Sequence, residues 1–453
     1  MNDPASARLS ALPADARTIL APLVETGWRF RLWAGLLGLV TLWGAVAYYL
    51  QLRYGLGRTG LNQPEYWGIY IIDFVFFIGI SHAGTLISAI LRVSQAEWRR
   101  PITRSAEFIT VLVLGFGAIQ PIIDLGRPDR LFNVLFHAQL RSPLLWDVMS
   151  IGLYLTASTV YLYLPMLPDL ALIRDSGIKA PRLYRILAAG YRDTPQQRHR
   201  LQRVIGVLAI VVIPIAVSVH TIIGWIFAMT LRPMWHSTIF GPYFVMGAIY
   251  SGIAAILIAM VLLRRFYNLG DYFRPVHFDY MGRLLLLFSL LWLYFTFAEY
   301  LTAFYGAEPA EMRTFWAKVS GPFAVPFWAM VISCFVIPVA LMSRRATRTP
   351  AGTMAAGVSV VIGMWLERFN IVVPTSVNPR FELESLGHYM PSWVELSIMA
   401  GTLSGFALLY MAATKFFPII SIWEVREGRE VGLREVAERI EGYLPAQAGA
   451  ESQ

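Results

Sequence analysis

Residues 73–92 read DFVFFIGISHAGTLISAILR. Between Asp73 and Arg92 the only ionisable side chain is His82, and the run has the length of a bilayer-crossing helix, about 20 mostly apolar residues. It lies in the second of ten such stretches, at roughly 30–52, 67–91, 105–124, 144–167, 204–231, 241–263, 284–304, 322–342, 351–373 and 394–414. A transmembrane β-barrel would instead alternate in polarity over segments of about 10 residues, and no such segments occur. The predicted fold is therefore an all-α integral membrane protein with ten transmembrane helices. The first 29 residues carry acids, lack a compact apolar core and run into a full-length span, so they read as a cytoplasmic segment and not as a cleaved signal peptide.

The composition agrees. Of 453 residues, 56% are hydrophobic and 15% charged, against about 45–50% and 25% in soluble domains. Disorder is excluded, because it needs low hydrophobicity and high charge. The single cysteine, Cys334, excludes a disulfide framework and any cysteine-ligated zinc or iron–sulfur centre within the chain. The net charge of +9 is an orientation signal, not a nucleic-acid surface. With a cytoplasmic N-terminus, only ten of the 38 Lys and Arg residues fall in outer segments: Arg53, Arg58, Arg127, Arg130, Arg141, Arg232, Arg313, Lys318, Arg368 and Arg380. Positive residues gather on the cytoplasmic side, which places both termini inside.

The expected organisation is a cytoplasmic segment 1–29, one membrane domain over 30–415, and a cytoplasmic tail 416–453 whose residues 424–446 read either as an amphipathic helix or as a solvated tail. A self-similarity divides the domain. Phe76, Gly79, His82 and Gly84 recur as Phe244, Gly247, Tyr250 and Gly252, each shifted by 168 positions. Spans 2–5 (67–231) and 6–9 (241–373) then form two parallel four-helix bundles, a repeat architecture known among transporters.

Ionisable groups within spans are costly and mark function. Asp73, Asp124, Asp147, Glu299, Glu367 and Glu395 fall within about two turns of the outer face, at 1.5 Å per residue. His82 and His220 lie deeper, and Glu107 lies near the inner face. For Asp147, Glu395 and Glu107 the ordinary reading is an acid at a helix end meeting headgroups and water. After span three, QPIIDLGRPDR (120–130) ends the helix at Gly-Arg-Pro and predicts an Asp124–Arg127–Asp129–Arg130 cluster at the outer interface.

DFVFFIGISHAGTLISAILR (73–92), GFGAIQPIIDLGRPDR (115–130), HTIIGWIFAMTLRPMWHSTIFGPYF (220–244) and YFTFAEYLTAFYG (294–306) together resemble the polysulfide reductase NrfD-like membrane subunits. Among them they are most similar to the quinol-binding membrane subunits of bacterial alternative complex III. The resemblance implies a multi-pass subunit of the bacterial inner membrane that binds menaquinol or ubiquinol near the outer face and holds no metal or haem. It implies a docked periplasmic iron–sulfur subunit, c-type haem subunits and a second NrfD-like membrane subunit as partners. It carries Asp73, His82, Asp124 and Arg127 into the catalytic site; depth in the spans adds Trp146, Asp147, His220, Tyr243 and Glu299.

The chemistry is consistent. Quinol oxidation releases two protons with two electrons, which histidine can accept near neutral pH and a carboxylate can take onward. Two other readings stay open from sequence: a haem b subunit ligated by His82 and His220, and a secondary transporter using repeats and midplane charges.

Overall fold

A computed structural model describes residues 4–62, 65–379 and 389–443. Among them, ten helices are long and apolar enough to cross a membrane: α1 (Trp28–Tyr54), α2 (Ile69–Val93), α3 (Thr103–Asp124), α4 (Pro143–Ser176), α5 (Pro195–Ala228), α6 (Phe240–Phe266), α7 (Pro275–Gly306), α8 (Ala324–Met342), α9 (Pro350–Val377) and α10 (Trp393–Phe416). An eleventh helix, α11 (Ile422–Tyr443), closes the chain. No strand occurs among the described residues.

Local signals set the helix starts. Proline opens α4, α5, α7 and α9, where its missing N–H costs nothing and its fixed φ favours the helix. Thr194 and Thr349 accept the free N–H groups of Gln197 and Gly352, and Ser392 with Glu395 forms a reciprocal capping box on α10. The Thr194–Pro195 start places α5 nine residues ahead of the apolar run that begins near 204. At 34 residues each, α4 and α5 reach about 50 Å and protrude well beyond an apolar core about 30 Å thick.

The packing gives two rings. Helices α2, α3, α4 and α5 pack in cyclic order, and so do α6, α7, α8 and α9. The leading helices α2 and α6 touch each other, and α2 also touches α9, so the rings share a seam. Helices α1 and α10 pair beside α2 and α3, where a Cβ on Gly44 would stand 2.7 Å from the Cα of Gly401.

Three sequence expectations change. Arg368, counted among the outer-loop cations, is buried within α9, because the helix runs past the expected end at 373 to Val377 and turns the guanidinium inward over the Phe244 ring. Asp147, Glu395 and Glu107, read as acids meeting water, are all buried. The start of the tail is a docked helix: Glu424 is enclosed and accepts from Arg92 at 2.5 Å and Arg99 at 3.2 Å. The backbone N–H groups of Ile422 and Trp423 donate to Asp169, which also pairs with Arg104. Arg380 and the tail beyond 443 lie outside the described residues.

Candidate functional site

The buried polar groups form separate centres. The first lies inside the α2–α5 ring. His82 precedes a π-helical turn, Ala83–Ile87, a feature that recurs where a helix serves a site. Its Nε2 stands 2.7 Å from the Ala216 carbonyl oxygen of α5 and its Nδ1 2.9 Å from that of Ile78. A neutral imidazole has one N–H and donates to one carbonyl at a time. His220 meets His82 edge to face, ring centroids 4.1 Å apart, and both His220 nitrogens are enclosed without a hydrogen-bond partner. Tyr154 flanks His82 at 4.9 Å and donates to the Ser81 carbonyl at 3.1 Å.

The second centre lies where α2, α3, α9 and α10 converge. Asp73 is buried on the first turns of α2; its Oδ1 accepts from Trp365 Nε1 of α9 at 2.8 Å, while Oδ2 is enclosed and unpartnered. Tyr70, three residues earlier, donates to Gln51 at 2.5 Å, and Gln51 donates to the Ile123 carbonyl at 2.9 Å. That chain fixes the end of α3 beside α2, so Asp73 and Asp124 both lie within electrostatic reach of the Tyr70 phenol. Asp124 points inward, its Oδ1 enclosed and unpartnered.

Glu395 completes this end of the molecule. It accepts from Tyr389 at 2.6 Å and from the backbone N–H groups of Gly60 and Ser392 at 2.6 and 2.8 Å. Tyr389 also accepts from the Ile69 N–H, which pins the start of α2. Glu65, in the loop before α2, is fully buried. Burial pushes its carboxyl up to about 8, with Arg232 pulling it down and Glu395 pushing it further up.

A cavity of about 1210 Å³ runs between α1, α2, α3, α6, α9 and α10. Its wall is apolar and aromatic, including Phe76, Phe77, Val113, Trp365, Phe406 and Tyr410. Trp365 thus faces the cavity with its ring and holds Asp73 with its indole nitrogen.

The third centre lies in the α6–α9 ring. Arg368 and Glu367 form a fully buried ion pair, and Trp292 donates to Glu367 at 2.6 Å. The guanidinium sits 5.4 Å from the Phe244 ring, in space left by the two glycines that recur 168 positions apart. A Cβ on Gly79 would come within 3.7 Å of Arg368 Nη2, and one on Gly247 within 3.0 Å. Nearby, Tyr243 bonds Thr296 at 3.2 Å, and Glu299 accepts from Ser237 at 2.6 Å. Lys318, on the short helix Pro309–Val319, is buried in the same pocket. Burial brings its ammonium down to about 8, against the pull of Glu299 upward.

The nine expected site residues therefore separate: His82 with His220, Asp73 with Asp124, and Tyr243 with Glu299. Three join none of these centres among the described contacts. Arg127 is exposed and pairs with Asp129 at 2.9 Å, so the expected outer cluster keeps only this pair and Asp124 turns away from it. Trp146 donates to the Leu140 carbonyl, and Asp147 is buried with Oδ1 unpartnered. Sequence reasoning missed Trp365, Arg368, Tyr70 and Glu65. An adjacent Glu367–Arg368 doublet inside a span was the available signal for the second.

This architecture belongs to a known family. Residues 57–379 match the model of the NrfD polysulphide reductase family, and the chain is a member of it. It is 28% identical to a Halobacterium salinarum protein named provisionally as a membrane subunit of dimethyl sulfoxide reductase, over 89% of this chain and 95% of that one. A selenate reductase subunit of Mesobacillus selenatarsenatis is 27% identical, over 86% and 95%. The integral membrane subunit of menaquinone reductase from Nitratidesulfovibrio vulgaris is 21% identical, over 86% and 92%.

Proposed function

We propose that this chain is the quinone-handling membrane subunit of an oxidoreductase complex in the bacterial inner membrane, with both termini cytoplasmic. It oxidises menaquinol or ubiquinol and passes the electrons to an iron–sulfur subunit docked on the periplasmic face. The observation that carries this reading is Asp73: one carboxylate oxygen is held by Trp365, the other is enclosed and unpartnered, and Trp365 itself walls a long apolar cavity. A quinone needs such an aromatic slot for its ring and chain with few placed polar groups, and quinol oxidation needs a proton acceptor beside it. Asp73 Oδ2 takes one of the two protons, the second leaves to the outer water, and the electron pair passes to the iron–sulfur partner.

The relatives' names span dimethyl sulfoxide, selenate and menaquinone reductases, which supports quinone-linked electron transfer. Beyond those names, the sequence segments 73–92, 115–130, 220–244 and 294–306 lead us to place the chain in an alternative complex III-type assembly with c-type haem subunits and a second NrfD-like membrane subunit. Co-purification tests this: iron–sulfur and haem-bearing partners are expected, and their absence removes the assignment. Asp73→Asn in the assembled complex is expected to abolish quinol oxidation and weaken quinone-analogue binding; normal turnover would overturn the site. A reduced-minus-oxidised spectrum of the isolated chain tests the haem reading, in which His82 and His220 are ligands.

A second role is favoured by one specific observation. Ser88 donates to the buried Glu107 at 2.6 Å, and the Tyr161 and Ser158 hydroxyls and Thr85 Oγ1 are enclosed and unpartnered in the same ring that holds Tyr154 and His82. These groups line a route for protons from the cytoplasmic end toward the histidine pair. In proteoliposomes, quinol oxidation should then acidify or alkalinise beyond scalar release, and Glu107→Gln should remove only that excess. A quinol-driven pH change equal to scalar release alone refutes the coupling.

A further inference from the structure

The quinone reading explains the Trp365 end of the large cavity and leaves the other end unexplained. Along α10 the lining runs from Met399 to Lys415, about 24 Å at 1.5 Å per residue. At the Lys415 end its character changes: Trp28, Arg29, Arg265, Tyr267, Asn268 and Lys415 replace the apolar wall. These residues come from the start of α1 and the ends of α6 and α10, three elements distant in sequence.

Arg29 and Arg265 are exposed at this mouth. Neither forms an ion pair among the described residues; Arg29 lies only against the ring of Trp28, at 5.7 Å. Lys415 is committed elsewhere, donating to the Pro22 and Glu25 carbonyls at 2.8 and 2.6 Å beneath the Phe30 ring. One acid, Glu25, shares the mouth, so the three cations leave an excess of two positive charges. Trp28 and Trp33, both largely exposed beside it, are the side chains that settle at a headgroup boundary.

We infer that this mouth binds an anionic phospholipid, the phosphate meeting Arg29 and Arg265 and the acyl chains following the apolar wall away from the mouth, short of the Trp365 end that the quinone takes. A quinone carries no charge to require two arginines. An extended or irregular protein segment would bring backbone N–H and C=O groups against a wall with almost nothing to bond them. A lipid with a negative headgroup satisfies both ends, and basic pockets beside membrane helices bind such headgroups.

The test uses the full chain, delipidated in mild detergent and reconstituted into nanodiscs of equal phosphatidylglycerol and phosphatidylcholine. Lipid retained after re-extraction is quantified by mass spectrometry. Two basic residues predict a phosphatidylglycerol preference of about thirtyfold. The Arg29→Gln/Arg265→Gln double variant should lose the preference and keep its quinone. Arg344→Gln/Arg345→Gln, basic residues that do not line the cavity, should retain the preference. Equal retention of the two lipids, an unchanged double variant, or loss in the control pair as well would overturn the proposal. A double variant that loses quinone and phosphatidylglycerol together would assign the mouth to the quinone and overturn it too.

Discussion

Trp365→Phe isolates the contact on which the proposed chemistry turns. The substitution keeps an aromatic ring on the cavity wall and removes the indole N–H that Asp73 Oδ1 accepts at 2.8 Å. Asp73 would then have both oxygens enclosed and unpartnered, since Oδ2 already lacks a partner. A hydrogen bond to a charged group contributes about 1.5–3 kcal/mol. At 1.36 kcal/mol per decade of rate, the loss corresponds to about 10- to 150-fold in kcat/KM for quinol oxidation. The change should fall mainly on kcat, because the bond orients the proton acceptor and does not itself hold the ring. The assay is steady-state quinol oxidation by the assembled complex, with quinone-analogue affinity measured in parallel. Trp365→Phe at parental kcat/KM, beside an inactive Asp73→Asn, would show that the indole bond is not used. Parental activity in both would remove the cavity from the reaction.

Other expectations concern packing, docking and pH. Gly247→Ala places a Cβ 3.0 Å from both Arg368 Nη2 and Met364 Cε, an overpacking that should cost about 1–3 kcal/mol. Gly79→Ala makes no contact closer than 3.4 Å and should melt within a degree or two of the parent; equal losses would refute the placement of Arg368. Glu424→Gln leaves Arg92 and Arg99 without their shared carboxylate, a loss on the order of 3 kcal/mol for a buried pair. Limited trypsin digestion should then cut α11 much faster, and an unchanged rate would show that the Glu424 pairs do not anchor it. Glu65, pushed up to about 8 by burial, is held neutral, so its stabilising contribution is complete below about pH 4.5 and is lost as pH rises through about 8. Thermal unfolding in detergent across that range should decline with pH, and Glu65→Gln should flatten the decline; an equally steep variant would reassign it.

The ten spans were legible because each bilayer crossing demands about 20 apolar residues, a constraint the chain cannot hide. Helix ends were less legible: Thr194–Pro195 starts α5 by capping, which an apolar window does not register. Asp73 and His82 could be singled out by their depth, but depth is a coordinate along one helix and says nothing about which neighbour a side chain meets. Hence Trp365 and Tyr70, uncharged and common in membrane proteins, went unnoticed, although one bonds Asp73 and the other lies within electrostatic reach of both Asp73 and Asp124. Arg368 is the instructive case. Taken linearly it sits near the end of an apolar run and counts as an outer cation, whereas in the fold it fills the seam between the two rings. The clue was present elsewhere in the chain. Two glycines 168 positions apart, in helices that pack against each other, leave a space on both sides of the seam, and a buried guanidinium occupies it. A recurring small residue in a membrane helix therefore reports what approaches it, and pairing such positions across a repeat points to the large side chain that must lie between them.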